Sequence, residues 1–195
     1  MTNSPNWVSV SLQLGYPQPG QVDSGKFAAD GTTVLGPSIP VGTIGQFRDN
    51  GTTRLGMGTF IFLPGVTSTV AGDVVNYRTA NGGSTENDIN YGAATAPWSG
   101  TANTGVPLAV ATAAVNLQTK WGWYQIQGGA IVNVSGTVAA SDTKVYFGQT
   151  AVLQTNAAAG GKQVLGIQAA SANSVPESGK AIFTLNSPVV QSQIT

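Results

Sequence analysis

Eight carboxylates are the first place to look for acid–base chemistry in this sequence: Asp23, Asp30, Asp49, Asp73, Glu86, Asp88, Asp142 and Glu177. The chain has no histidine and no cysteine. Their absence removes Ser-His-Asp and Cys-His nucleophile systems, histidine general bases, histidine- or thiolate-ligated zinc, and any disulfide framework. Two carboxylates facing each other could still cleave a glycoside. Each of the eight, however, sits beside Gly, Asn, Ser or Thr, the setting of acids that shape turns. The densest group of oxygen ligands is STENDIN, residues 84–90, with Glu86, Asn87, Asp88 and Asn90. Calcium favours such loops, but the glycine and terminal glutamate of an EF-hand are missing. The segment therefore reads as a solvated loop with Asx turns. Gly82-Gly83, Gly128-Gly129 and Gly160-Gly161 match neither a phosphate-binding loop nor a dinucleotide fingerprint. No catalytic residue, metal or cofactor is expected.

The tryptophans are the more informative residues. In KWGWYQIQGG, residues 120–129, strand alternation puts Trp121, Trp123, Gln125 and Gln127 on one face and Tyr124 and Ile126 on the other. Beyond the glycines, Ala130, Val132 and Val134 continue the Tyr124 parity. The indoles thus fall on the face that otherwise reads as polar. Three arrangements would account for them: a second buried face, a protein interface in which Trp is enriched, or stacking against sugar rings.

Composition narrows the partners. Charged residues make up only 8% of the 195, eight basic against eight acidic, where a soluble domain usually carries about a quarter. The basic residues are scattered singly, with no phosphate-binding stripe, so neither nucleic acid nor an anionic membrane is expected as a partner. A surface so poor in charge suits a chain packed against other chains. No run of about 18 apolar residues could form a spanning helix. The opening residues, MTNSPNWVSVSLQLGYPQPG, lack the basic and apolar regions of a secretory signal, so assembly in a cytoplasm is expected.

The elements that would carry these residues are strands. Many valines and threonines, with 26 glycines as punctuation, argue for β-structure. Five of the ten prolines (Pro5, Pro17, Pro19, Pro37, Pro40) fall within residues 1–40. Proline lacks the ladder donor, so this region suits an extended arm, edge strands and turns. NWVSVSLQL within it alternates Trp7, Ser9 and Ser11 against Val8, Val10 and Leu12, and could pair with a neighbour. MGTFIFLPG reads as a buried strand ended by Pro64-Gly65, GDVVNYRT as a strand after a Gly72-Asp73 turn, and GQFRDNGTTRLG as a hairpin around Asn50-Gly51. Residues 80–105 form a long loop of small and polar residues, a functional or surface excursion. VPLAVATAAV is open between helix and strand. The segments that follow are short, bounded by Gly, Asn, Asp or Pro, and suggest a barrel or sandwich.

The order of these segments resembles the head decoration, or cement, proteins of tailed bacteriophages. The resemblance rests on G-x-F-x-F, V-A-G-D-V-V-N-Y, G-V-P-L-A-V-A, W-G-W-Y-Q-I-Q-G-G-A and V-L-G-I-Q-A-A-S…G-K-A-I-F-T-L, and covers about residues 56–187. It implies an all-β fold, a small β-barrel, β-tulip or sandwich at residues 51–195, with residues 1–50 as an extended N-terminal arm. It also implies a structural virion protein and not an enzyme. Such a protein would lie on the exterior of an icosahedral capsid, bound to the major capsid protein and to its own copies as a dimer or trimer, after assembly in the host cytoplasm. The residues expected at those interfaces are Trp7, Val8, Val10, Leu12, Trp98, Trp121 and Trp123. Two rival readings remain: a carbohydrate- or receptor-binding module of a phage tail or fibre, and a glycan-cleaving enzyme.

Overall fold

The computed structural model describes residues 5–10, 15–65, 67–77, 105–117, 119–140, 142–147, 152–155 and 162–191. In chain order the strands are β1 (Trp7–Ser9), β2 (Lys26–Phe27), β3 (Val34–Gly36), β4 (Ile44–Asp49), β5 (Met57–Pro64), β6 (Val74–Asn76), β7 (Leu108–Ala111), β8 (Trp121–Asn133), β9 (Val145–Phe147), β10 (Leu153–Gln154), β11 (Gln163–Ala169) and β12 (Lys180–Val190). No helix occurs among the described residues, and the fold is all-β with antiparallel pairing between strands.

One sheet runs β1-β4-β5-β8-β12-β11-β9-β10, with β7 pairing both β8 and β6, while β2 and β3 form a separate hairpin. The sheet is sandwich-like and does not close into a barrel, since its edge strands β1 and β10 do not pair with each other. A single parallel bridge between Val134 and Leu153 brings β10 back to the end of β8 and curls that half of the sheet.

β8 is the axis of the molecule. Its first half pairs with β5, from Pro64↔Trp121 to Thr59↔Gln127, and its second half with β12, from Asn186↔Gln127 to Lys180↔Asn133. The register against β5 shifts between Thr59 and Phe60, so Ile126 is the extra residue of a bulge in β8. Gly128 follows at φ +92°, and a Cβ there would strike the Met57 carbonyl oxygen, so only glycine fits. The bulge also ends the uninterrupted alternation expected from the sequence. Tyr124 and Ile126 belong to one core cluster, while Ala130 and Val132 belong to another.

Three apolar clusters result. The largest lies inside the curled half and includes Leu108, Val132, Phe147, Leu153 and Phe183. A second, with Ile61, Leu63, Val75, Ala111 and Tyr124, lies between β5–β8 and β6–β7. The third is aromatic: Trp7, Phe47, Phe60, Phe62 and Trp123, with Ile39.

The alanine-rich stretch left open between helix and strand is strand at Leu108–Ala111. The reason is tertiary. Leu108 and Val110 are buried in the first cluster, Ala109 and Ala111 in the second, and β6 and β8 supply ladder partners for the backbone between them. Residues 1–50 also differ from a free arm. β4 pairs along its length with β5, from Ile44↔Ile61 to Arg48↔Met57, and β1 extends the sheet by pairing with β4. A boundary between residues 50 and 51 therefore runs through the loop of a hairpin.

Candidate functional site

The tryptophan face of β8 is covered from within the chain. Trp123 is fully buried, and its Nε1 donates to the Pro17 carbonyl at 2.7 Å. Its ring meets Phe47 and Phe62 edge-on, with centroids 4.9 and 5.2 Å apart. Phe60 bridges Phe47, at 5.2 Å, and Trp7, at 4.8 Å, in the same edge-to-face manner. Such pairs add about 0.5–1.5 kcal/mol each beyond the area they bury. Trp121, half-buried, exchanges backbone hydrogen bonds with Asp23 and lies against Gly25, where a Cβ would meet both its ring and the Gly36 carbonyl. The segment from Tyr16 to Gly25 thus lies across the indoles.

Asp23 holds that crossing in place. It is buried, and its carboxylate accepts from the Gly25 amide, the Ser38 amide and the Ser38 hydroxyl at 2.8–2.9 Å. Asp49 plays the same part for the β4–β5 loop. It accepts from the amides of Asn6, Gly51 and Leu55 and from the Thr53 hydroxyl, all at 2.7–2.9 Å. Burial opposes its charge, yet the donors at Leu55, Thr53, Gly51 and Asn6 outweigh this and hold its pKa below the usual carboxylate value. Asp73 is buried as well, bound by the Val70 amide and Asn133 Nδ2. Gln125, which the sequence places on a polar face, is also inside. Its amide donates to the carbonyls of Gln127 and Gly129, at 3.0 and 2.7 Å, so its polar end is satisfied inside the fold.

The other acids are surface groups. Asp30 closes the β2–β3 turn by accepting from the Thr33 hydroxyl and the amides of Thr33 and Thr32, which lower its pKa to about 2. Asp142 is lowered by hydrogen bonds from the Thr155 hydroxyl and the Ala139 amide. Glu177 pairs with Lys180 at 2.6 Å. Glu86 and Asp88 lie outside the described residues, and no group able to hold a metal ion occurs among the described ones. One cleft, about 320 Å³, is bordered by Trp7, Gln21, Thr112, Gln125, Glu177 and Lys180. It contains one carboxylate, already ion-paired, and so presents no facing acid pair of the kind a glycosidase uses.

Of the residues expected at an interface, Trp7 and Trp123 are buried in the chain's own core, because the N-terminal segment folds over them. Trp121 is half-buried, while Val8 and Val10 are exposed, at 44% and 58%. Leu12 and Trp98 lie outside the described residues, as does the loop 80–105 up to residue 104. Val8 sits in one row with Arg48 and Met57, across β1, β4 and β5, and Ile44 is exposed further along β4. A second apolar surface was not foreseen. In the β2–β3 hairpin, Phe27 stands opposite Val34, and Leu35 follows, exposed at 48%, 40% and 69%. The signal for it was Asp30-Gly31 between two short apolar stretches, a hairpin pattern.

Comparison with known protein families, curated proteins and solved structures finds no match to this chain.

Proposed function

We propose that this chain is a structural virion protein that decorates the outside of an icosahedral phage capsid, binding the major capsid protein and neighbouring copies. The observation that carries the reading is the β2–β3 hairpin, with Phe27, Val34 and Leu35 exposed on a chain that has one ion pair among its described residues. Exposed aromatic and aliphatic side chains on a weakly charged surface suit burial against another protein. The aromatic cluster leaves the domain self-contained, so binding would use the hairpin and the Val8, Val10, Ile44 and Met57 strip, and the indoles would serve only the fold.

The carbohydrate-binding alternative needs an aromatic platform open to a sugar ring. Trp123 is fully buried and Trp7 is 5% exposed, which disfavours it for those two residues.

The test is co-sedimentation with undecorated capsids of a tailed phage. Binding is expected at a fixed ratio to the major capsid protein, and Phe27→Ser with Leu35→Ser should weaken it at least tenfold while the melting temperature stays within a few degrees. Absence of saturable binding by the unaltered chain, or full binding by the double variant, defeats the reading. Retention on a glycan surface, without capsid binding, would favour the alternative.

A further inference from the structure

Two of the three arginines in the chain, Arg48 and Arg54, border one shallow concavity of about 370 Å³ together with Asp49, Asn50, Gly51 and Gly56. Both are exposed, and neither forms an ion pair with any described residue. The acid between them is already occupied. Asp49 lies on the opposite face of β4 from Arg48, in the strand's alternation of exposed and buried positions, and its two oxygens take four donors from the loop and from Asn6. The loop that carries Arg54 is consequently wound round a fixed anchor. Its amides at Gly51 and Leu55 are committed to Asp49, the Asn50 amide to the Asn6 carbonyl, and the Gly56 carbonyl to the Asp49 amide.

Arg54 itself adopts φ +50°, a left-handed conformation that glycine or asparagine takes more readily. Backbone preference therefore does not explain an arginine there. Its guanidinium does, if it is needed in the concavity: Arg48 is delivered from the strand, Arg54 from the loop, and the one carboxylate bordering the space, Asp49, already takes four donors. Guanidinium groups bind phosphate oxygens through paired N–H donors, and two of them match a doubly charged oxyanion better than a singly charged one.

We infer that Arg48 and Arg54 form a binding site for a dianionic oxyanion of the phosphate class, held on the preorganised β4–β5 loop. Arg48 lies in the row between Val8 and Met57, part of the strip used in the capsid reading, but the site does not involve the apolar hairpin, and phosphate binding by the free chain tests it without any capsid.

The experiment uses the full chain and inorganic phosphate as the probe. Thermal melts and calorimetric titrations are run in phosphate, acetate and chloride at matched ionic strength. Phosphate should raise the melting temperature above that in chloride, and acetate should bind at least tenfold more weakly. Arg48→Gln and Arg54→Gly should each weaken phosphate binding at least tenfold. Arg54→Gly should also melt no lower than the unaltered chain in chloride, because glycine is at ease at φ +50°. That separates loss of a ligand group from loss of fold. Equal effects of phosphate and chloride, equal binding of acetate, or unchanged phosphate binding in Arg54→Gly would each overturn the assignment.

Discussion

Replacing Trp123 by phenylalanine isolates what the N-terminal segment contributes. Phenylalanine keeps a ring between Phe47 and Phe62, whose centroids lie 4.9 and 5.2 Å from the indole. What it loses is the Nε1 donor to the Pro17 carbonyl and the volume of the five-membered ring. A fully buried carbonyl left without its donor costs about 1–3 kcal/mol; Pro17 is half-buried, so about 1–2 kcal/mol applies. The smaller ring adds a cavity term of about 1 kcal/mol, comparable to losing a methylene or two from a packed core. The expected destabilisation is therefore about 2–3 kcal/mol. The same substitution at the half-buried Trp121, whose contacts with Asp23 are through the backbone, should cost about 1 kcal/mol or less. Urea unfolding followed by far-UV circular dichroism measures both, and parallel slopes would show that the denatured states are comparable. Limited proteolysis adds a second readout, since loss of the Pro17 anchor should speed cleavage within residues 16–42. The reasoning is refuted if Trp121→Phe costs as much as Trp123→Phe, or if the N-terminal segment stays equally protected in both.

Deleting residues 1–42 removes Trp7 and Ile39 and uncovers one side of Phe47, Phe60, Phe62 and Trp123; at about 1 kcal/mol for half-exposing each of these four aromatics, plus about 1.5–3 kcal/mol for the lost burial of each of the first two, the loss is about 7–10 kcal/mol. Set against a total stability of about 5–15 kcal/mol, the remainder should lack a cooperative melt, and a sharp native-like transition would show the segment to be dispensable. Asp49→Asn should cost about 2–4 kcal/mol at pH 7, since an amide nitrogen cannot accept from the donors on one carboxylate oxygen. Because its folded-state pKa lies below the unfolded value of about 3.9, the advantage of the aspartate is complete above about pH 5 and disappears as pH falls through the folded value; urea melts that show a constant difference down to pH 2 would contradict this. Gly128→Ala should cost more than about 3 kcal/mol, as its Cβ would meet backbone at Met57 and the residue must hold φ +92°; a shift in the urea midpoint equivalent to under 1 kcal/mol would mean that the bulge is not rigid. Capsid binding through Phe27 and Leu35 should persist in 1 M salt, where charge pairs are screened within about 3 Å, and salt-induced release would point to the arginines instead.

The β-class and several turns were legible because they are local. Pro64-Gly65 ends β5, Gly72-Asp73 precedes β6, and Asn50-Gly51 lies in the β4–β5 hairpin, each where a dipeptide's own conformational preference decides. The fate of the tryptophans was not local. Alternation placed Trp121 and Trp123 on one face correctly, but whether that face meets water, another subunit or the chain's own start depends on contacts more than a hundred residues away in sequence, such as Pro17 with Trp123. Gln125 and Gln127 show the same limit from the other side. A one-residue bulge separates them, so Gln125 is buried, donating to the Gln127 and Gly129 carbonyls, while Gln127 is exposed, reaching Thr59 and Ser187. Nothing in the alternation of WGWYQIQ announces the extra residue; only the following glycine, at φ +92°, hints at it.

Prolines misled for a related reason. Their density within residues 1–40 suggested an arm because proline cannot donate to a ladder, yet a covering segment needs few ladder bonds of its own. Pro17 serves through its carbonyl, accepting the Trp123 indole, and proline's fixed φ lowers the entropy lost in laying an extended segment across a sheet. The same property that would suit docking on a neighbour suits docking on one's own core, and what decides between them is whether an apolar face stands within reach. Here β5 and β8 present Phe60, Phe62 and Trp123 together, and β4 and β1, drawn in by pairing, bring Phe47 and Trp7 to meet them. Once those aromatics satisfy one another, the apolar groups still facing water include the hairpin side chains at Phe27, Val34 and Leu35 and the strip at Val8, Val10, Ile44 and Met57. An external partner would therefore be recognised by residues the core did not need, and Trp7 and Trp123, drawn into the core, are not among them.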